Sequence, residues 1–141
     1  MARSAKSTSS SSTFANLPPY GILLLRLALG ACMIYHGYGK VVPDNAMDHF
    51  AHYVVSLGMP YWLGYVSALT EFGGGILLLL GLLTRPVAGL IAIDMLVALV
   101  KVDVHHGLDA CQFSSLLIAI AIALVCLGGG AYALDRKIGF S

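Results

Sequence analysis

Four long apolar segments constrain this chain more than any other feature of its sequence. They span residues 20–38, 61–83, 86–104 and 113–134, and each is close to the ~20 residues that a helix needs to cross a bilayer. Inside lipid the backbone must satisfy its own hydrogen bonds, which a helix does within a single segment. The sequence therefore predicts an all-α protein, a four-helix transmembrane bundle.

The composition agrees with a lipid environment. Hydrophobic residues make up 58% of the 141 residues and charged residues only 11%, whereas soluble domains average about 45–50% and about 25%. The net charge is +1, and no basic block suggests a nucleic-acid partner. The lipid bilayer is the expected partner of the exposed surface.

The chain divides into a tail and one membrane domain. Residues 1–16 are rich in Ser and Thr and cannot bury a core, so they are predicted to form a disordered cytoplasmic tail. Residues 17–138 are predicted to form the four-helix membrane domain.

The connection between the first two apolar segments carries a helical pattern of its own. Apolar side chains recur there at helical spacing, at Met47, Phe50, Val54 and Leu57. This pattern predicts a short amphipathic helix that lies in the outer membrane interface between helices 1 and 2.

The positive charges predict the orientation. In a four-span arrangement one side of the membrane receives Arg3, Lys6, Arg85, Arg136 and Lys137. Only Lys40 and Lys101 fall near the other side. The positive-inside rule then places both termini in the cytoplasm.

Several charged residues lie at membrane depth, where each costs at least ~2.5 kcal/mol and therefore indicates a functional site or an ion pair. A helical rise of about 1.5 Å per residue separates them into two layers. The layer nearer the cytoplasm contains Arg26 and Asp94, which are predicted to form a structural ion pair. The outer layer contains Glu71, Lys101 and His36.

The outer layer is a candidate polar pocket, which Tyr35 and Tyr38 on the first segment would complete. Its residues are predicted to be His36, Glu71, Lys101, Tyr35 and Tyr38. Two interpretations remain open: a polar cavity with a function, or buried charges that only neutralise one another and fix the register of the helices.

Gly73, Gly74 and Gly75 follow Glu71 directly. Small residues let membrane helices approach closely, so a role in helix packing is expected. The same glycines could instead leave room for a flat ring beside Glu71. The three cysteines are scattered and the histidines match no standard metal site, so neither a metal centre nor haem or iron–sulfur ligation is expected.

An ordered set of short motifs gives the chain a family resemblance. The set contains 25–30 (Leu-Arg-Leu-Ala-Leu-Gly), 36–40 (His-Gly-Tyr-Gly-Lys), 71–74 (Glu-Phe-Gly-Gly), 80–85 (Leu-Gly-Leu-Leu-Thr-Arg) and 134–136 (Leu-Asp-Arg). In this order the motifs resemble the DoxX family of small four-helix membrane proteins.

The resemblance implies a function in outline. The family takes its name from a subunit associated with a terminal quinol oxidase, and relatives are linked to quinone-dependent electron transfer. It therefore implies an accessory subunit of a membrane redox or quinone-linked complex in a bacterial inner membrane, with a quinone as the ligand and other complex subunits as partners. The alternatives are a non-enzymatic assembly or scaffold protein and a small transporter, and a homo-oligomer is compatible with each of them.

Overall fold

The computed structural model describes residues 17–139, and this part of the chain is all-helical, as predicted. Its helices are α1 (Leu17–Val41), α2 (Ala46–Ser56), α3 (Tyr61–Leu80), α4 (Thr84–Lys101) and α5 (Leu108–Leu127). Two single 3₁₀ turns, Asp103–His105 and Leu134–Arg136, follow α4 and α5. The predicted disordered tail, residues 1–16, lies outside the described residues.

Three of the described helices, α1, α3 and α5, are long and apolar enough to cross a membrane. Helix α2 occupies the connection in which a short amphipathic helix was predicted. Helix α5 begins at Leu108, before the fourth apolar segment. It ends at Leu127, earlier than that segment, because Gly128 leaves the helical conformation with a φ of 75°.

The four longer helices, α1, α3, α4 and α5, share one hydrophobic core. Its fully buried side chains come from all four helices and include Leu29, Leu78, Ile91 and Leu124. The outward faces are also apolar: Leu24, Ile93 and Leu116 are each more than half exposed. A surface of this kind belongs in contact with lipid.

Helices α1 and α3 approach each other through glycines. A Cβ atom on Gly75 would lie 2.8 Å from the carbonyl oxygen of Gly30, and one on Gly37 would lie 2.5 Å from the backbone nitrogen of Phe72. Gly74 faces Val87 on α4, whereas Gly73 has no atom within 4 Å of its Cβ position. Of the three consecutive glycines, Gly74 and Gly75 therefore hold helices together and Gly73 does not.

One end of the bundle is closed by a segment from the C-terminal part of the chain. We call it the turn end: residues 81–84, between α3 and α4, with residues 128–136. The Asp135 carboxylate accepts hydrogen bonds from the backbone N–H groups of Leu83 (2.6 Å) and Thr84 (2.8 Å), and the Asp135 N–H donates to the Gly81 carbonyl (2.9 Å). Asp135 thus satisfies N–H groups at the start of α4 that have no partner within the helix.

The glycine contacts predict that Gly75→Ala destabilises the protein while Gly73→Ala does not. The methyl group on residue 75 has to push α1 away, which costs about 1–3 kcal/mol. On residue 73 it meets open space and improves helix propensity by up to about 1 kcal/mol. Reversible unfolding in mixed detergent micelles measures both, and equal stability of the two variants would contradict the packing described here.

Candidate functional site

A cavity of about 470 Å³ lies among the five helices at the end of the bundle away from the turn end. We call it the charged cavity. Apolar side chains form most of its wall, and its polar side chains include Lys40, Ser67, Glu71 and Asp94. It therefore combines an apolar surface with a compact group of opposite charges.

The centre of the charged cavity is an ion pair between α1 and α3. The Lys40 Nζ lies 2.5 Å from Glu71 Oε1, and the Glu71 side chain is only 3% exposed. The same Nζ stands 4.3 Å from the ring centroid of Phe50 on α2, a cation–π contact. Lys40 thus neutralises the buried carboxylate and joins three helices.

The geometry of α1 and α3 explains why these two side chains meet. Side chains in a helix lean toward the N-terminus of their own helix, and α1 and α3 run in opposite directions. Lys40 and Glu71 therefore lean toward each other, and the contact of Gly37 with Phe72 holds the two helices close beside them. The prediction placed Lys101 in this position, but Lys101 is an exposed residue at the end of α4.

Asp94 lies in the same layer as Glu71, which corrects the two layers expected from the sequence. Helix α3 ends at Leu80 and α4 begins at Thr84, so Glu71 and Asp94 stand roughly 14 Å and 15 Å from the turn between these helices. Asp94 faces Glu71 and Ser67 across the hairpin. The sequence estimate erred because it extended the second segment to residue 83, beyond the end of α3, and started the third segment at residue 86, after the start of α4.

The predicted Arg26–Asp94 ion pair does not form. Arg26 is 2% exposed, and its guanidinium group donates hydrogen bonds to the carbonyl oxygens of Gly129 (2.8 Å) and Tyr132 (3.3 Å) at the turn end. Asp135 is an acidic neighbour of Arg26 at this end of the bundle. The C-terminal segment folds back over the bundle and supplies these partners, which the order of the apolar segments did not indicate.

Two carboxyl oxygens of the charged cavity have no hydrogen-bond partner among the described residues. They are Glu71 Oε2 and Asp94 Oδ2, and both atoms are buried. A buried polar atom without a partner costs roughly 1–3 kcal/mol. The cavity can therefore gain free energy from a molecule that offers hydroxyl or amine donors to these two acceptors.

Of the other residues predicted for the pocket, two line the charged cavity and two do not. His36 lines the charged cavity and its ring centroid lies 5.4 Å from that of Phe113, and Lys101 also lines the cavity. Tyr35 and Tyr38 are 81% and 55% exposed on the outside of α1 and are not part of the lining.

Sequence reasoning did not assign Lys40 to the pocket, although a signal was present. Lys40 follows His36 by one helical turn, so the two share a face of α1.

Among residues 17–139, no three His, Cys, Asp or Glu side chains lie close enough together to hold a metal ion.

The fold and the charged cavity define a class: small helical proteins of the membrane with charged groups enclosed between their helices. The DoxX family model matches residues 21–106, and the chain belongs to the DoxX family. It is an integral, multi-pass membrane protein in contact with the lipid bilayer.

Two known bacterial proteins are similar to this chain over most of their length. The chain is 33% identical over 116 residues to the protein named "Putative oxidoreductase CatD" of Bacillus subtilis (strain 168), covering 82% of this chain and 84% of that protein. It is 31% identical over 126 residues to "Inner membrane protein YqjF" of Escherichia coli (strain K12), covering 86% and 95%. No solved structure matches the chain significantly.

The ion pair predicts that Lys40→Met destabilises the protein strongly. Removing one partner of a buried pair leaves the other charge without compensation, which typically costs about 3–5 kcal/mol. Unfolding in mixed micelles should show a loss of this order.

Two further variants serve as controls. Lys101→Met changes an exposed lysine of the same cavity and should alter stability by less than about 0.5 kcal/mol. Combining Lys40→Met with Glu71→Leu removes both charges and should restore most of the loss. If Lys101→Met were the more damaging single change, the assignment of Lys40 as the partner of Glu71 would be wrong.

Proposed function

We propose that the protein binds a quinol in the charged cavity and serves as an accessory subunit of a membrane redox complex. The observation that carries this proposal is the pair of buried carboxyl oxygens without partners, Glu71 Oε2 and Asp94 Oδ2, inside a largely apolar cavity. A quinol head group is a flat ring whose two hydroxyl groups can donate hydrogen bonds to such acceptors.

The size and lining of the cavity support a ligand of this kind. Its volume of about 470 Å³ lies within the range of small-molecule sites, about 300–1,000 Å³. Leu63, Val66 and Leu90 supply apolar wall next to the charged group, where hydrocarbon substituents of the ring can pack. Lys40 offers a donor to a ring oxygen in the oxidised form.

An accessory role fits the sequence better than a complete enzyme. The chain carries no recognisable pattern for haem or iron–sulfur ligation, so the electron acceptor or donor would reside in a partner subunit. The relative from Bacillus subtilis is named "Putative oxidoreductase CatD", which agrees with a role in redox chemistry.

Quinol binding is tested by titrating the purified protein in mild detergent with a short-chain ubiquinol or menaquinol analogue, followed by calorimetry. Asp94→Asn replaces one acceptor oxygen by a donor and leaves the Lys40 and Glu71 side chains unchanged. It should weaken binding tenfold or more, because a hydrogen bond to a charged group contributes about 1.5–3 kcal/mol. Tyr35→Phe, which lies outside the cavity, should bind like the unmodified protein.

An unmodified protein that binds no quinol analogue would refute this function. A scaffold role is then the second candidate, since the Lys40–Glu71 pair already neutralises both charges without a ligand. Under that alternative, Lys40→Met would impair assembly of the partner complex while Asp94→Asn would leave it intact.

We further propose that α4 crosses the membrane with α1, α3 and α5, so that both termini are cytoplasmic and α2 lies at the outer interface in a bacterial inner membrane. Only residues 81–83 separate α3 from α4, so the two helices form an antiparallel hairpin. The relative named as an inner membrane protein supports the location.

The topology predicts which cysteine reacts from outside the cell. Cys111 is in the first turn of α5 and Cys126 in its last turn. In single-cysteine variants a membrane-impermeant maleimide should label Cys111 in intact spheroplasts and leave Cys126 unlabelled. Labelling of Cys126 and not Cys111 would show that the protein has the opposite orientation.

A further inference from the structure

A second cavity lies at the turn end, on the opposite side of the bundle from the charged cavity. It has a volume of about 260 Å³ and is lined by Arg85, Arg136, Asp135 and the loop Gly128–Gly129–Gly130. We propose that this turn-end cavity binds the phosphate group of an anionic phospholipid headgroup. The proposal does not depend on quinol binding.

The charges of the turn-end cavity favour an anion. Neither Arg85 nor Arg136 forms an ion pair within the described part of the chain. The carboxylate in the lining, Asp135, already uses its two oxygens as acceptors for the N–H groups of Leu83 and Thr84. The two guanidinium groups therefore remain available to a phosphate, which arginine binds in a bidentate manner.

The glycine loop brings bare backbone to the wall of the same cavity. Gly128 and Gly130 both have a φ of 75°, a conformation that exposes bare backbone and that other residues rarely adopt. Between residues 17 and 139 no hydrogen bond is formed by the N–H groups of Gly129 and Gly130. Free N–H groups in such loops form concave sites for anions.

Arg85 is held against this loop. Its Nε atom lies 3.1 Å from the position that a Cβ atom would occupy on Gly128. Any larger residue at position 128 would push the guanidinium group away from the loop. The missing side chain thus lets the Arg85 guanidinium group and the loop backbone line one cavity.

The surroundings place the turn-end cavity at the depth of lipid headgroups. Tyr132 lies in the same segment as the lining residues Gly130 and Ala133 and packs against Tyr20 with ring centroids 5.4 Å apart, and both tyrosines are about half exposed. Tyrosines of membrane proteins concentrate at the interface between hydrocarbon and water. At this depth the phosphate groups that surround the protein are those of phospholipid headgroups.

The proposal is tested by native mass spectrometry. The detergent-purified protein is delipidated, mixed with phosphatidylglycerol or phosphatidylcholine, and its bound lipid is measured. The unmodified protein should retain phosphatidylglycerol at least tenfold better. Each Arg→Gln change, at Arg85 and Arg136, should weaken that retention about fivefold. Lys137→Gln is the matched control, because Lys137 is exposed beside the cavity but does not line it.

Competition with excess inorganic phosphate distinguishes a phospholipid headgroup from a free phosphate ion as the ligand. It should displace the lipid only weakly, because the acyl chains contribute to binding. Equal retention of both lipids, or unchanged retention of phosphatidylglycerol when Arg85 and Arg136 are both changed to Gln, would overturn the proposal. Complete displacement by low phosphate concentrations would also overturn it and assign the site to a free anion. Unchanged elution on size-exclusion chromatography verifies that each variant is folded.

Discussion

The contact between Lys40 and Glu71 is the interaction on which the rest of the structure depends. A carboxylate that is 3% exposed inside an apolar bundle is tolerable only with a partner. The partner has to come from α1, because α1 is the helix that the glycines bring directly against α3 beside Glu71. The glycines of the α1–α3 interface therefore determine where the ion pair forms, and the charged cavity lies around that pair.

The same contact determines what the charged cavity can bind. Lys40 occupies one oxygen of Glu71, and among residues 17–139 neither the second oxygen nor Asp94 Oδ2 has a hydrogen-bond partner. A cavity with one cation and two acceptors favours a ligand that donates hydrogen bonds over one that is itself an anion. Ring alcohols with apolar substituents match this requirement, and the apolar walls match the substituents.

The charged side chains at the two ends of the bundle have different kinds of partner. At the charged cavity acidic and basic side chains face each other between helices. At the turn end Arg26 donates to backbone carbonyls of the folded-back segment, and Asp135 accepts from the backbone N–H groups of Leu83 and Thr84. Within residues 17–139 neither Arg85 nor Arg136 forms an ion pair, which is why we propose this end as a site for an external anion.

The comparison of sequence and structure shows which information is local and which is not. The apolar segments predicted the helices, and the family motifs predicted the DoxX family, because both depend on residues close in sequence. The partner of Glu71 depended on how closely α1 approaches α3, and the partners of Arg26 depended on the folding back of residues 128–136. Neither is encoded in the length of a segment, so Lys40 was overlooked and Asp94 was assigned to the wrong layer.

The most direct test of this account is the distance between the Lys40 ammonium and the Glu71 carboxyl group in a bilayer. Glu71 is the single glutamate of the chain, so ¹³Cδ-glutamate with ¹⁵Nζ-lysine gives an unambiguous solid-state NMR distance measurement. We expect a separation below about 4 Å, retained in Lys101→Gln and lost in Lys40→Gln. A short distance that persists in Lys40→Gln and disappears in Lys101→Gln would contradict the account.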